Sequence, residues 1–261
     1  MSERDSWRDR SQRERTAHAE RGVLAESHRL KRMFAHVTTS PTMRRFEADF
    51  ADALANVAGR RVLDLGCGEG EQSLDLLRHG ARVTGVDISE HYVAAAEARC
   101  RAAGFDATRL AFRVVDAHAM TFPDQSFDMV VGRGVLHHLD LARALSEIGR
   151  VLVPGGVAVF QEPLAANPLL KVFRWLTPHA RTVDERPLSQ ADLRALDADW
   201  IVSNRFYGLL GAPVAFLTSI FLRPYPGNAL LRWADGWEQS LNRHALMRPY
   251  NQYVLLRLTR R

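Results

Sequence analysis

The sequence contains very little lysine and cysteine. Two of its 35 basic residues, Lys31 and Lys171, are lysines, and the others are arginines scattered among 30 acidic residues. Although the formal net charge is +5, this mixing of signs does not favour a nucleic acid as partner. The two cysteines, Cys67 and Cys100, support neither a disulfide framework nor a thiolate metal site, and they suit the reducing cytoplasm.

Long apolar runs are also absent. Residues 1–22 lack the apolar core of a secretory signal, and no run approaches the roughly 20 residues of a membrane span, so we expect no transmembrane segment. The most apolar stretch, residues 208–222, is interrupted by Pro213, Thr218 and Ser219. It predicts a cap helix that is buried or faces a substrate, with peripheral contact to a membrane surface as the alternative.

The length of the chain is sufficient for one large α/β domain with an added arm and cap, since 46% of the 261 residues are hydrophobic. Residues 1–22 alternate acids with arginines and predict a solvated tail or marginal helix, to which no chemistry is assigned. We expect a helical N-terminal arm over residues 1–40, partly disordered and able to act as a lid. The main domain covers residues 41–261, with cap insertions around residues 163–198 and 208–249.

Short apolar strands alternate with helical segments through the middle of the chain. A helix opening at Pro41 and ending at Gly59 is followed by strands at residues 61–65, 82–86, 111–115, 127–131 and 157–161, with helices between them at 71–79, 90–103 and 139–150. Two later strand-like runs, at residues 201–207 and 253–258, bring the number of strands to seven. The alternation predicts an α/β fold: a doubly wound, Rossmann-like, mostly parallel sheet with helices on both faces.

The segment VLDLGCGEG, residues 62–70, joins the first strand to a glycine loop. An apolar run ends in Asp64, and glycine occupies positions 66, 68 and 70. Residues without a Cβ atom let a backbone approach a ligand closely. The sequence therefore predicts a nucleotide-like ligand with an adenosine, and the loop lacks the GxGxxG spacing that seats a pyrophosphate.

Acidic residues end the next two strands as well. Asp87 follows the second strand, where a carboxylate can accept hydrogen bonds from both ribose hydroxyls, and Asp116 follows the third. Any one of these acids could equally be a helix cap or turn residue. Together with Asp64, in order and at strand ends, they favour a nucleoside site.

The pattern from Asp64 to Gly70 resembles motif I of the class I S-adenosylmethionine-dependent methyltransferases. The segments PDQSFDMVVGRGVLHHL (123–139) and GRVLVPGGVAVFQEP (149–163) extend the resemblance over about residues 62–163, and they are similar to the bacterial small-molecule group of that family. It implies S-adenosylmethionine as cofactor and S-adenosylhomocysteine as product. The implied cofactor-binding residues are Asp64, Gly66, Cys67, Gly68, Gly70, Asp87, Ile88, Asp116, Ala117 and Arg133.

Two histidines follow the fourth strand, where the crevice of such a sheet opens. His137 and His138 are candidate general bases, because a side chain with a near-neutral pKa can remove the proton of an oxygen or carbon acceptor. The alternative is that one caps a helix or packs beneath the cofactor. Glu162 is the third catalytic candidate, able to orient an imidazole or bind an acceptor hydroxyl, although a turn before Pro163 explains it too.

The acceptor pocket is expected between the arm and the late insertion. Aromatic residues of the insertion could stack on an acceptor, although core packing explains each equally well: Phe216, Phe221, Tyr225, Trp233 and Trp237. The cluster Asp184, Glu185 and Arg186 is a weaker candidate for chemistry. After the fourth strand the chain reads VGRG instead of an NPPY-like tetrad, which does not favour methylation of nucleic-acid amino groups. No metal-ligand spacing is present.

The leading functional hypothesis is methyl transfer from S-adenosylmethionine to an oxygen, nitrogen or carbon of a small apolar or aromatic metabolite in secondary metabolism. One alternative, motivated by residues 208–222, is methylation of a lipid or prenylated quinone precursor at the membrane surface. The other, motivated by the arginine-rich arm, is a noncatalytic regulatory or nucleic-acid-binding protein with a methyltransferase fold. The sequence does not specify an oligomeric state.

Overall fold

A computed structural model gives the fold of the chain. It describes residues 9, 11–13, 16, 39–168, 171, 186–221 and 228–261. Most of the predicted arm lies outside these residues, as do Asp184, Glu185 and Tyr225 of the expected acceptor side.

The described helices and strands follow the alternation that the sequence predicts. The helices are α1 (Pro41–Ala53), α2 (Glu71–Arg78), α3 (Glu90–Ala102), α4 (Leu141–Val151), α5 (Gln190–Ala195), α6 (Gly211–Phe221) and α7 (Ala229–Leu241). The strands are β1 (Arg61–Leu65), β2 (Arg82–Asp87), β3 (Leu110–Val114), β4 (Phe127–Arg133), β5 (Leu152–Pro163), β6 (Trp200–Tyr207) and β7 (Tyr253–Arg260). Short 3₁₀ turns at Leu136–His138, Leu196–Ala198 and Arg248–Tyr250 complete the elements.

The seven strands form one sheet in the order β3-β2-β1-β4-β5-β7-β6. The first five strands along the chain pair in parallel, and β7 is antiparallel to both β5 and β6. The predicted mostly parallel seven-stranded fold is therefore confirmed. In such a sheet ligands bind outside the carboxyl ends of the parallel strands, which places the site at the edge where β1, β2 and β4 end.

The largest differences from the predicted element boundaries occur in α1 and β5, whereas the other elements differ by at most two residues. Helix α1 ends at Ala53 instead of Gly59, because the chain turns there and buries Leu54 and Val57 in the core. Strand β5 begins at Leu152 instead of residue 157, since Leu152 already pairs with Phe127 before a shift in register.

The sheet separates two apolar cores. Side chains such as Leu63 and Phe160 point to one face and pack against Ile148 of α4. On the other face, Phe46 and Phe50 of α1 cover a layer of strand valines. Helices therefore shield both faces, as a parallel sheet requires.

The late insertion contains the hairpin of α6 and α7. Glu238 of α7 is fully buried, and its carboxylate accepts hydrogen bonds from the backbone N–H groups of Gly208, Leu210 and Gly211 and from the Arg45 guanidinium. One carboxylate thus holds the start of α6 and links the hairpin to α1. In the residues that the structure describes, no helix is long and apolar enough to span a membrane.

Candidate functional site

The three loop glycines all have positive φ angles, +72° at Gly66, +49° at Gly68 and +81° at Gly70, but they serve different purposes. A Cβ atom on Gly66 would lie 2.9 Å from the Val135 side chain. One on Gly68 would meet no atom within 4 Å, which leaves open space above the loop. A backbone that passes beneath open space in this way can receive a ligand at close range.

A cavity of about 510 Å³ lies above the loop, in the size range of small-molecule sites. Its lining includes predicted site residues: Asp64, Gly66, Cys67, Gly68, Asp87, Ile88, Asp116, Ala117, Arg133 and His138. Gly70 is not among its lining residues, because it begins α2 and faces α3, where a Cβ atom would lie 2.8 Å from the Ala96 backbone. The glycine at this position is thus explained by packing instead of ligand contact.

Asp64 is the buried acid of the site, with 2% of its surface exposed. Burial raises its pKa to about 6, against the opposing effects of the Ser73 hydroxyl, which donates a hydrogen bond to Oδ2, and of the Arg133 charge. Asp87 also contributes to the increase by repulsion. A positive ligand group nearby would stabilise the ionised form of this buried carboxylate.

The Asp87 carboxylate is fixed by backbone groups on both sides. Oδ2 accepts a hydrogen bond of 3.1 Å from the Gly68 N–H, and Oδ1 accepts one of 2.9 Å from the Ser89 N–H. These bonds hold the carboxylate at the cavity wall while leaving further lone pairs for a ligand. The end of β2 is therefore preorganised for hydroxyl donors.

Asp116 belongs to a cluster that the sequence reasoning missed. Burial alone would raise its pKa, but hydrogen bonds involving His118 and Ser11 lower it to about 2. His118 is buried, its Nδ1 lies 2.7 Å from Asp116 Oδ1, and its Nε2 accepts a hydrogen bond from the Asp140 N–H. Because Nε2 is an acceptor, the ring carries its proton on Nδ1.

Residues 1–22 are expected to be a solvated tail or marginal helix without assigned chemistry, and Ser11 corrects the second part of this expectation. Its side chain is buried, lines the cavity, and lies 3.2 Å from His118 Nδ1. The expectation failed because Ser11 pairs with a residue 107 positions away in the sequence, and the alternation of acids and arginines around Ser11 does not reveal this contact.

The charges around the cavity are mostly negative. Its acidic lining residues are Asp64, Glu69, Glu71, Asp87 and Asp116. Arg133, its arginine, also donates hydrogen bonds to Gln72 and Glu47 and stacks 4.3 Å from the Phe50 ring centre. A pyrophosphate would be repelled by this set, whereas a nucleoside with a sulfonium and an ammonium group fits it.

The three catalytic candidates are neighbours, although only His138 is among the residues that line this cavity. Glu162 is fully buried, and its carboxylate accepts hydrogen bonds from the N–H groups of Val135 and Leu136 at 2.9 and 2.8 Å. His137 Nδ1 lies 2.8 Å from Glu162 Oε2, and the rings of His137 and His138 are 4.2 Å apart. A carboxylate that accepts all these donors places the His137 proton on Nδ1 and its basic lone pair on Nε2.

The aromatic residues expected at the acceptor are less well placed. Trp233 and Trp237 of α7 are 59% and 54% exposed, so they are neither core residues nor lining of the cofactor cavity. Phe216 and Phe221 lie on α6, but their side chains are outside the described part. The Arg186 backbone N–H donates to the His137 carbonyl, whereas its side chain pairs with Asp192 at the surface.

Comparison with known proteins identifies this arrangement. Residues 63–160 match a family model described as "Methyltransferase domain". This part of the chain is a class I S-adenosylmethionine-dependent methyltransferase domain. The predicted family and its cofactor are thereby confirmed, and the match favours the enzyme over the noncatalytic alternative.

Curated relatives extend the similarity to small-molecule enzymes. The methyltransferase domain is 37% identical over 123 residues to 27-O-demethylrifamycin SV methyltransferase of Amycolatopsis mediterranei, covering 45% of each chain. It is 33% identical over 135 residues to the ubiquinone/menaquinone biosynthesis C-methyltransferase UbiE of Geobacter sulfurreducens, covering 50% of this chain and 52% of that one. The chain matches only about half the length of these relatives.

A solved structure supports the fold over a longer stretch. Geranyl diphosphate C-methyltransferase from Streptomyces coelicolor A3(2), solved with S-adenosylhomocysteine, superposes with a TM-score of 0.57 at 21% identity. The alignment covers 84% of this chain and 80% of that chain. At this identity the similarity concerns the fold alone.

Proposed function

We propose that this chain methylates an oxygen, nitrogen or carbon atom of a small apolar or aromatic metabolite of secondary metabolism, in the reducing cytoplasm. The observation that carries the proposal is the ordered set of carboxylates, Asp64, Asp87 and Asp116, around one cavity. The relative that acts on a rifamycin precursor supports the acceptor class. The buried, unpaired thiols of Cys67 and Cys100 suit a reducing compartment.

Each carboxylate has a separate part in cofactor binding. Asp87 accepts hydrogen bonds from the ribose hydroxyls, and Asp116 with the Ala117 backbone holds the adenine edge. Asp64 and Arg133 serve the methionine end, where a charged amino group and a carboxylate must be neutralised. S-adenosylmethionine supplies a methyl group on a sulfonium, so alignment of the acceptor is the main requirement for the protein.

His137 is the proposed general base, and Glu162 its positioning residue. The 2.8 Å contact of Nδ1 with the buried carboxylate orients the ring and stabilises the imidazolium that forms when Nε2 takes a proton. His138 lines the cofactor cavity, so we assign it to cofactor contact. This division refines the expectation that either histidine can act as the base.

Two measurements test this function. Calorimetry should detect binding of S-adenosylhomocysteine at micromolar concentrations, and an intact protein that does not bind it would overturn the proposal. Labelled S-adenosylmethionine incubated with extracts of apolar metabolites should then yield a labelled product.

The roles of the two histidines are separated by comparing variants. His137→Gln and Glu162→Gln should lower turnover about 100-fold while leaving S-adenosylhomocysteine affinity unchanged. His138→Ala should instead weaken S-adenosylhomocysteine binding. Full turnover in His137→Gln would show that alignment alone suffices and would remove the base.

A lipid or prenylated quinone precursor at the membrane surface is the second candidate acceptor. An apolar surface on the cap favours it, formed by Leu217, Leu230, Trp233 and Trp237 and called here the tryptophan surface. These side chains are 51–59% exposed, and the two indole rings lie 6.0 Å apart. Tryptophan prefers the boundary between water and lipid headgroups. The similarity to a quinone methyltransferase points the same way.

Vesicle co-sedimentation tests the second candidate. The protein should pellet with vesicles of phosphatidylcholine and phosphatidylglycerol, with a blue shift in tryptophan fluorescence. Trp233→Ser/Trp237→Ser should abolish both signals. Ile201→Ser, which changes a 60% exposed apolar residue outside the tryptophan surface, on strand β6, should retain them. A wild-type protein that stays in the supernatant would rule out this acceptor class.

A further inference from the structure

An unused hydrogen-bonding group lies in β5 beside the catalytic candidates. Among the residues that the structure describes, the buried side-chain polar atoms without a hydrogen-bond partner are Gln161 Nε2 and Asn204 Oδ1. Gln161 is 93% buried, since 7% of its surface is exposed. A buried donor without a partner lowers stability, so its presence requires an explanation.

The sheet register places Gln161 near the carboxyl end of β5, next to a strand that lines the cofactor cavity, although Gln161 itself is not among the lining residues. It lies opposite Arg133 of β4, a residue that lines the cofactor cavity, and opposite Leu255 of β7. Paired residues of neighbouring strands share a face, so the Gln161 side chain lies on the Arg133 side of the sheet. The next residue, Glu162, points to the opposite face and holds His137.

The surroundings of Gln161 on this face are aromatic. Tyr253 follows on the same side of β7, and its ring stacks on Phe46 of α1 with 5.4 Å between ring centres. Phe50 lies beneath the Arg133 guanidinium. An apolar wall with a few polar groups is typical of a site for a small aromatic molecule.

We propose that Gln161 binds the methyl acceptor, through a hydrogen bond between its side-chain amide and a hydroxyl group of an aromatic acceptor. This inference rests on the proposed function and narrows the acceptor to compounds with an oxygen substituent. A hydroxyl group both donates and accepts, so it satisfies the amide in either orientation of its oxygen and nitrogen. The lost stability of the unpaired amide is then recovered when the acceptor binds.

Asn204 provides a matched control for this proposal. It also has an unpaired buried atom, but it lies opposite Leu256 in the middle of the β6–β7 pair. Leu256 belongs to the core on the other face of the sheet. Changing Asn204 therefore removes a similar unpaired group without altering the proposed acceptor site.

Binding of an aromatic compound with and without a hydroxyl group tests the role of Gln161. In the presence of S-adenosylhomocysteine, the wild-type protein and Asn204→Leu should bind 2-naphthol about tenfold more tightly than naphthalene. Gln161→Met keeps the length of the side chain without its amide and should bind both compounds equally. A preference that survives in Gln161→Met, or a wild-type protein that binds neither compound more tightly, would overturn the proposal.

Unfolding and cofactor titration complete the test. An amide that binds the acceptor does not stabilise the folded protein. Gln161→Met should therefore have an unfolding midpoint equal to or above that of the wild type, as should Asn204→Leu. A lower midpoint in Gln161→Met alone would show that the amide supports the fold and would overturn the inference. Loss of S-adenosylhomocysteine binding in the wild type would refute the proposed function itself, whereas normal binding without a preference for the hydroxylated compound refutes only the role of Gln161.

Discussion

His118 connects the Asp116 carboxylate to the beginning of a helix. Its Nδ1 lies 2.7 Å from Asp116, while its Nε2 accepts the N–H of Asp140, the residue that caps α4. The ring therefore holds the acid at the adenine end of the cavity in one orientation and keeps it ionised. Both nitrogen atoms are engaged, so no other side chain of the same size replaces it.

Removing this imidazole should weaken cofactor binding. We expect His118→Ala to reduce S-adenosylhomocysteine affinity about tenfold, because Asp116 loses a charge-assisted hydrogen bond and its pKa rises from about 2. Calorimetry at pH 7 measures the change. His79→Ala, which alters an exposed histidine at the C-terminal end of α2 that does not line the cavity, should bind as the wild type does. Equal affinities in the two variants would contradict the role of His118.

The pKa of Asp64 predicts a specific dependence of stability on pH. Its ordinary value is 3.8 and burial raises it to about 6, so the folded protein holds this proton more tightly than the unfolded chain. The contribution is stabilising below pH 3.8 and is lost as the pH rises through 6. Asp64→Asn should become more stable relative to the wild type by about 2 kcal/mol between pH 4.5 and pH 7.

Urea unfolding at pH 4.5, 5.5 and 7 measures this trend. Ser73→Ala removes a hydroxyl that stabilises the Asp64 charge, so it should steepen the loss of stability with pH. A constant difference between Asp64→Asn and the wild type would mean that the carboxyl titrates normally in the fold.

Alanine substitutions at Gly70 and Gly104 distinguish the cost of backbone strain from the cost of a steric clash with a neighbouring helix. Both have positive φ angles, but a Cβ atom on Gly70 would meet the Ala96 backbone, whereas one on Gly104 would meet nothing within 4 Å. Gly104→Ala should cost about 1 kcal/mol of unfolding free energy from strain alone. Gly70→Ala should cost about 1–3 kcal/mol more, from the displacement of α3. Urea denaturation of both variants decides whether packing explains Gly70.

Glu238 should be a main source of stability in the cap. Glu238→Gln leaves three backbone N–H groups and Arg45 without their carboxylate, and we expect a loss of about 2–4 kcal/mol. Thermal and urea unfolding measure it. Glu69→Gln breaks an exposed ion pair with Arg99 and should have little effect. Equal stability of the two variants would mean that the cap is held by apolar packing alone.

Much of the fold is predictable because its signals are local. Apolar runs bounded by glycines and acids marked the strands, and Asp64, Asp87 and Asp116 fall at strand ends, where parallel strands bring them to one edge. The same reasoning failed where a contact joins distant segments. Ser11 reaches His118 across 107 residues, and a His two positions after Asp116 was the one available signal for that cluster.

The unpaired amide of Gln161 was equally inaccessible to sequence reasoning. A glutamine in a strand of valines indicates a half-buried position, but whether its amide has a partner depends on side chains from β4, β7 and α1. Gly70 shows the reverse problem, since a glycine required by helix packing has the same appearance in the sequence as one required by a ligand.

The position of β7 has a consequence for synthesis. This strand is formed by residues 253–260 and lies between β5 and β6, so neither neighbour has its full set of hydrogen bonds until β7 has emerged from the ribosome. About ninety residues emerge after β5 before β7 does, and during this time the edge of β5 that pairs with β7 has no hydrogen-bond partner. The nascent chain must therefore complete its sheet late in synthesis, and until then a chaperone has an open strand to protect.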